Sequence, residues 1–302
     1  MNPTLQACLW MLGAIFSFTL MAVAGRELAG TFDTFEIMMW RSAIGLAVVL
    51  ALASAFRTLR QITRQRLGTH VLRNLFHFSG QNLWFYAVTV APLAQVFALE
   101  FTTPLWVIVL SVFLLGERLT LVRAVSAIMG FIGILIVARP DMAGISPGVV
   151  TAAGSAVFFA LTYVFTKRLT RTESLTAIMF YLTFFQLILG LITAGYDGDI
   201  ALPAAPDLPW LLVVAICGLL AHTCITKALS LAPAAVVAPI DFARLPLIAI
   251  VAMLVYNEAL DPWVFVGAVI IFAGNYLNIW SETRKTAGTG SPGAVEYPNR
   301  GG

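Results

Sequence analysis

Charge is what this 302-residue sequence has least of: Asp, Glu, Lys and Arg together make up 11% of it. A soluble domain carries about a quarter. That scarcity excludes a water-facing surface over most of the chain, and with 60% hydrophobic residues the solvent must be lipid. Cysteine is scarce as well. Cys8, Cys217 and Cys224 all fall inside apolar runs, with no C-x-x-C pair, so neither disulfides nor a zinc site is expected. The sequence also lacks G-x-x-x-x-G-K-[ST], H-E-x-x-H and G-x-S-x-G. ATP hydrolysis and the simplest intramembrane hydrolases are thereby excluded, and no metal, cofactor or nucleic-acid partner is expected. No basic residue precedes the first apolar run, so no cleaved signal is expected either.

What is present is a series of apolar runs, each close to the roughly 20 residues that cross a bilayer as a helix. They lie near 4–24, 34–55, 73–91, 93–115, 120–138, 147–166, 175–195, 209–231, 234–256 and 262–280. The expected fold is therefore an all-α polytopic membrane protein with ten transmembrane helices. With the N-terminus in the cytoplasm, inside segments hold Arg57, Arg60, Arg64, Arg66, Arg73, Arg118, Arg123, Lys167, Arg168, Arg171, Lys227, Arg284, Lys285 and Arg300. Outside segments keep only Arg26 and Arg139. Basic residues concentrate on the cytoplasmic side of membrane proteins, so both termini are expected there, in a bacterial inner membrane.

The chain also repeats itself at a fixed offset of 141 residues. Ala91-Pro92, Ala94, Val96, Glu100-Phe101, Glu117 and Leu119 recur as Ala232-Pro233, Ala235, Val237, Asp241-Phe242, Glu258 and Leu260. Gly13, Phe18, Leu20, Val23, Arg26 and Leu28 likewise meet Gly154, Phe159, Leu161, Val164, Lys167 and Leu169. The expected organisation is one five-helix repeat over 1–139, a second over 140–280, and a disordered cytoplasmic tail over 281–302. Five helices per repeat is an odd number, so the second repeat enters the membrane from the opposite side. Inverted repeats around a central cavity are the signature of alternating-access transporters.

Polar residues at membrane depth face the bundle interior and mark function or interhelical bonding. Gln81 and Asn82 in the third run map onto His222 and Thr223 in the eighth, near the centre of each. They either contact substrate or join helices. His77 shares a face with Gln81 but lies nearer the cytoplasm. Glu100 and Asp241 are the carboxylates well inside runs; Arg41 and Arg244 are the arginines comparably deep. Depth along the helices pairs Arg41 with Glu100, and the i, i+3 spacing pairs Asp241 with Arg244. Each half would then neutralise its own carboxylate, as a gate or as plain structural compensation. Pro104, Pro239 and Pro246 remove backbone donors in equivalent helices and are hinge or static-bend candidates.

Ten helices, two five-helix repeats and an A-P-x-A-x-V plus (G/N)-E-x-L pattern in each half resemble the drug/metabolite transporter superfamily, in its EamA-type members. The first copy is Ala91-Pro92, Ala94, Val96 and Gly116-Glu117-Arg118-Leu119; the second is Ala232-Pro233, Ala235, Val237 and Asn257-Glu258-Ala259-Leu260. The resemblance spans residues 4–280, and among these proteins the chain looks most like bacterial exporters of aromatic amino acids. It implies a helical basket around a cavity lined by helices one, three, four and six. On that basis Phe16, Phe18, Trp84, Phe101, Phe159 and Tyr163 are the expected ring contacts to substrate. The function so implied is amino-acid export by alternating access, with the bilayer and a small solute as partners. A drug or metabolite exporter on the same scaffold is the alternative. An intramembrane transferase would instead need a histidine and a carboxylate within bonding reach.

Overall fold

The computed structural model describes residues 3–115, 121–138, 145–196, 198–231, 240–241 and 244–288. Their regular structure is helical: α1 (Pro3–Leu28), α2 (Thr34–Ala55), a 3-10 turn (Leu59–Gln61), α3 (Leu67–Val90), α4 (Leu93–Glu100), α5 (Thr103–Leu115), α6 (Leu121–Ala138), α7 (Pro147–Leu169), α8 (Leu175–Ala194), α9 (Leu208–Leu231), α10 (Arg244–Tyr256) and α11 (Pro262–Gly288). The chain is an all-helical membrane protein with ten spans, α4 and α5 being two parts of one. The helix ends keep the repeat's register. α2 and α8 start at 34 and 175, α3 and α9 run 67–90 and 208–231, and α5 and α10 run 103–115 and 244–256. Even the caps correspond. Asp33 caps α2 in a reciprocal box with Glu36, and its equivalent Ser174 caps α8 through the Ala177 N–H. Such a cap contributes about 1 kcal/mol.

Five helices are long and apolar enough to cross a membrane on length and composition. α3 is not among them, because His70, Arg73, Asn74, His77, Gln81 and Asn82 interrupt it, all buried. Lipid takes the opposite kind of surface. Leu5, Leu9, Leu12, Phe16 and Leu20 form an exposed stripe at helical spacing on α1.

The principal contacts join the two halves: α1 packs on α9, α3 on α7, α2 on α8 and α6 on α11. These pairs run antiparallel. Gly45 meets Thr183 whereas Gly190 meets Met39, and Gly80 meets Phe158 whereas Gly148 meets Ala91. The α2–α8 and α6–α11 pairs join equivalent helices, and the repeat interchanges the α1–α9 and α3–α7 pairs, as inverted repeats require. The α6–α11 crossing is a close one. A methyl group on Gly133 would stand 2.9 Å from the Gly267 carbonyl, and one on Gly267 would stand 2.8 Å from that of Gly133. Small residues permit such approach, and packing rather than hydrophobicity drives association in lipid.

Several expectations need correction. The fourth span is not one helix over 93–115; it breaks at Phe101–Thr102, between α4 and α5. Thr102 Oγ1 donates to the Leu99 carbonyl at 2.7 Å, and Asn275 Nδ2 donates to the Phe101 carbonyl at 3.0 Å. The break is thus satisfied from outside the helix, as backbone in lipid requires. Pro104 accordingly sits in the first turn of α5, where a missing N–H costs nothing, and not at a kink. Pro246 falls in the first turn of α10; Pro239 lies outside the described residues. The last helix continues past 280 to Gly288, since Ser281-Glu282-Thr283-Arg284-Lys285 contains no breaker before that glycine. Residues 289–302 are outside the described residues. Arg73 belongs to α3 and is 2% exposed, so it is not a loop residue.

Candidate functional site

Two polar clusters occupy the interior between the halves. The first is built on α3, whose His70, Arg73, Asn74, His77 and Gln81 recur at three- and four-residue spacing along one face. Every one of them is buried. His77 meets His222 of α9 edge-on, with ring centroids 4.8 Å apart, and His222 meets Phe18 of α1 at 5.8 Å. Phe159 of α7 lies 6.2 Å from His77. Four helices from both halves therefore converge here. Both nitrogens of His77, Nε2 of His222 and Oε1 of Gln81 are buried with no hydrogen-bond partner. Buried polar atoms are nearly always satisfied, so unsatisfied ones between two halves are a place for a solute or water to bind.

This cluster extends through α8 to α2. Arg73 donates to Thr166 Oγ1 at 3.2 Å and to Asn74 Oδ1 at 3.1 Å, and Gln186 Nε2 donates to the same Asn74 oxygen at 3.2 Å. Gln186 and Arg41 line a small cavity with Ser42, Gly45, Thr183 and Gly218. The charges of Arg41 and Arg73 act on each other and on both imidazoles.

The second cluster sits at the break in the fourth span. Arg244 Nη2 donates to Glu100 Oε1 at 2.9 Å and to Asp241 Oδ2 at 2.7 Å, and Trp84 Nε1 donates to Glu100 Oε2 at 2.8 Å. The rings of Phe18, Phe97 and Phe101 stand 4.9, 4.9 and 5.4 Å from the guanidinium carbon. The Asp241–Arg244 pair forms as the spacing predicts. Arg41 does not pair with Glu100: both carboxylates share Arg244, and among the described residues Arg41 donates to Met38 Sδ, at 3.6 Å. Depth along a helix gave height but not the side on which each side chain projects. Phe18 touches both clusters and is the link between them.

The remaining expected contacts divide. Trp84 and Phe101 are 2% and 4% exposed and belong to the acidic cluster, and Tyr163 feels the charges of Asp241, Arg244 and Glu100. Asn82 spends its amide N–H on the Phe78 carbonyl of its own helix, at 2.9 Å. Thr223 is half-buried. Phe16 is 58% exposed on the lipid-facing stripe and lines no cavity, because the 100° step of a helix carries it away from Phe18. No histidine bonds a carboxylate among the described residues, as a transferase would require.

Sequence reading missed a third feature, at the end where α1 finishes. Arg26 bonds Glu258, and also donates to the Val88 and Ala91 carbonyls at 2.6 and 2.5 Å. Glu258 Oε2 accepts from the Leu93 N–H at 3.0 Å, and the Tyr256 ring lies 4.8 Å from the Arg26 guanidinium carbon. The glutamate of the second (G/N)-E-x-L copy thus caps α4 of the opposite repeat. The repeat-equivalent Glu117 lies outside the described residues.

Comparison with known proteins agrees with this architecture. The EamA-like transporter family matches residues 5–139 and 146–280. The chain is 27% identical to the S-adenosylmethionine uptake transporter of Rickettsia conorii, over 94% of this chain and 97% of that one. It is 28% identical to the riboflavin transporter of Vibrio cholerae, over 93% and 95%. It is 30% identical to that of Brucella anthropi, over 79% and 85%. A solved crystal structure shares the fold with a TM-score of 0.64 at 20% identity, over 92% of this chain and 98% of the other. These relatives are named for S-adenosylmethionine and riboflavin, not for export of aromatic amino acids.

Proposed function

Because the chain belongs to the EamA-like transporter family, a family of transporters and not of enzymes, we propose that it carries a small polar metabolite with a planar ring across the bacterial inner membrane by alternating access. The observation that carries this reading is the set of unpartnered polar atoms on His77, His222 and Gln81, buried between the two halves and flanked by Phe18 and Phe159. Rings and a few convergent polar groups suit a solute with a flat apolar part and a polar part. S-adenosylmethionine and riboflavin, for which relatives are named, both have that form and are the first candidates. With both termini in the cytoplasm, the Arg26–Glu258 contact lies at the outer end and holds it together.

Export of aromatic amino acids is the second reading, favoured by the same rings. Flux into proteoliposomes separates the two. Saturable uptake of labelled S-adenosylmethionine or riboflavin, competed weakly by phenylalanine and tryptophan, supports the first; the reverse ranking supports the second. Gln81→Ala and His222→Ala are expected to raise the half-saturating concentration about tenfold, the worth of one buried hydrogen bond. Unchanged flux in both variants, or no flux of any solute by folded protein, would overturn the proposed site.

A further inference from the structure

Among the described residues, the three buried arginines are treated differently. Arg244 is neutralised from inside the protein by two carboxylates and three aromatic rings. Arg41 and Arg73 are 6% and 2% exposed, yet no carboxylate bonds either of them among the described residues. A guanidinium has five N–H donors. Arg73 uses two on neutral oxygens, and Arg41 uses one on a thioether. Arg41 lies flat against Gly218, where an added Cβ would sit 3.3 Å from its Nε. The space beside it is the cavity reached by Thr183 and Gln186. Gln186 bonds the Asn74 amide oxygen that also receives Arg73 and lines the same cavity as Arg41, so one glutamine stands between the two cations. Charges buried in a membrane protein pair with an opposite charge, and the described residues supply none here.

We propose that Arg41 and Arg73 form a seat for an anionic group, a carboxylate or a phosphate, on the transported solute, with Gln186 and Thr183 beside it. This rests on the transporter reading and sharpens it: the solute carries a negative group in addition to its ring. A planar oxyanion takes two parallel N–H donors from a guanidinium, which explains arginine at these positions. The ring of the same solute would then lie toward His77, His222 and Phe18.

The test uses the purified full chain in nanodiscs and pairs of compounds that differ only in the anion. The pairs are S-adenosylmethionine against its decarboxylated form, phenylalanine against phenylalaninamide, and riboflavin 5′-phosphate against riboflavin. The first two pairs report a carboxylate and the third a phosphate. The readout is the concentration of each compound that raises the thermal unfolding midpoint. In at least one pair the anionic member should act at a concentration about tenfold lower, the worth of one charge-assisted hydrogen bond. Arg73→Gln should bring that ratio near unity, and Arg73→Lys should restore part of it. Should Arg73→Gln fail to fold, the wild-type ratios decide. Equal concentrations within every pair, or no shift from any anion, would overturn the seat. Solute flux without anion preference would sink this inference and leave the transporter reading standing. An anion-selective shift without flux would do the opposite.

Discussion

Arg244 is the residue on which the acidic cluster depends, and Arg41 is its natural control. Both are arginines at membrane depth, 2% and 6% exposed. Removing one member of a buried ion pair costs about 3–5 kcal/mol, because the survivor is left uncompensated. Arg244→Met leaves Glu100 and Asp241 facing each other and should lower the thermal unfolding midpoint of the detergent-solubilised chain by several degrees or abolish folding. Arg41→Met removes a cation that no carboxylate bonds among the described residues, so the midpoint should hold or rise while transport falls. Equal destabilisation by the two variants would show that Arg41 is structurally paired after all. The presence of these four charged residues was legible in the sequence, because charge inside an apolar run cannot be missed. Their partners were only half legible. Asp241 and Arg244 share a helix turn, so spacing settles them; Glu100 is joined to Arg244 by tertiary packing, which no spacing encodes. Arg73, near the start of its apolar run, read as a loop cation for the same reason.

At the level of elements, the break in the fourth span sets where Glu100 and Phe101 point. It is held by Thr102 and by Asn275 of α11, and its partner glycines at the α6–α11 crossing bring Asn275 near. Asn275→Leu removes the bond from Asn275 to the Phe101 carbonyl, and losing such a bond costs about 1 kcal/mol. The expected result is a lower unfolding midpoint and a larger loss of transport than any single lipid-facing substitution on α1 produces, such as Leu12→Ala. Equal effects of the two would mean that the break does not position the site. The break was not legible, because residues 93–115 read as one membrane-length run despite Glu100 and the Thr102-Thr103 pair, and Pro104 pointed to a kink inside a continuous helix. By contrast, the polar stripe of α3 was present in the sequence at His77, Gln81 and Asn82. Extending the same spacing back to Arg73 and Asn74 would have found the rest of the cluster.

For the molecule as a whole, the 141-residue offset read from the sequence reappears in the helix ends: α3 and α9, and α5 and α10, match at both ends, and α2 and α8 match at their starts. Register could be read because insertions between equivalent helices are absent over those spans; how the halves interleave could not, since pairing across repeats leaves no local pattern. Closure at the Arg26 end joins α1, α3, α4 and the turn after α10 through one carboxylate. Glu258→Gln should loosen that closure. A cysteine placed at Phe97, fully buried in the wild type, should react faster with an impermeant thiol reagent applied from that end, in a background lacking Cys8, Cys217 and Cys224. Unchanged reactivity would place the closure elsewhere. The interleaving also bears on how the protein is made. When α6 leaves the ribosome, α1, α2, α3 and α6 are all in the bilayer with their main partners still untranslated. The nascent first half must therefore wait, inserted but unpacked, for the second to arrive. Residues 1–139 expressed alone should be degraded in the cell, and co-expression with 140–302 should rescue both as one assembly recovered together by affinity purification. The link between residues 139 and 140 would then serve to deliver the two halves to the same patch of membrane in equal number.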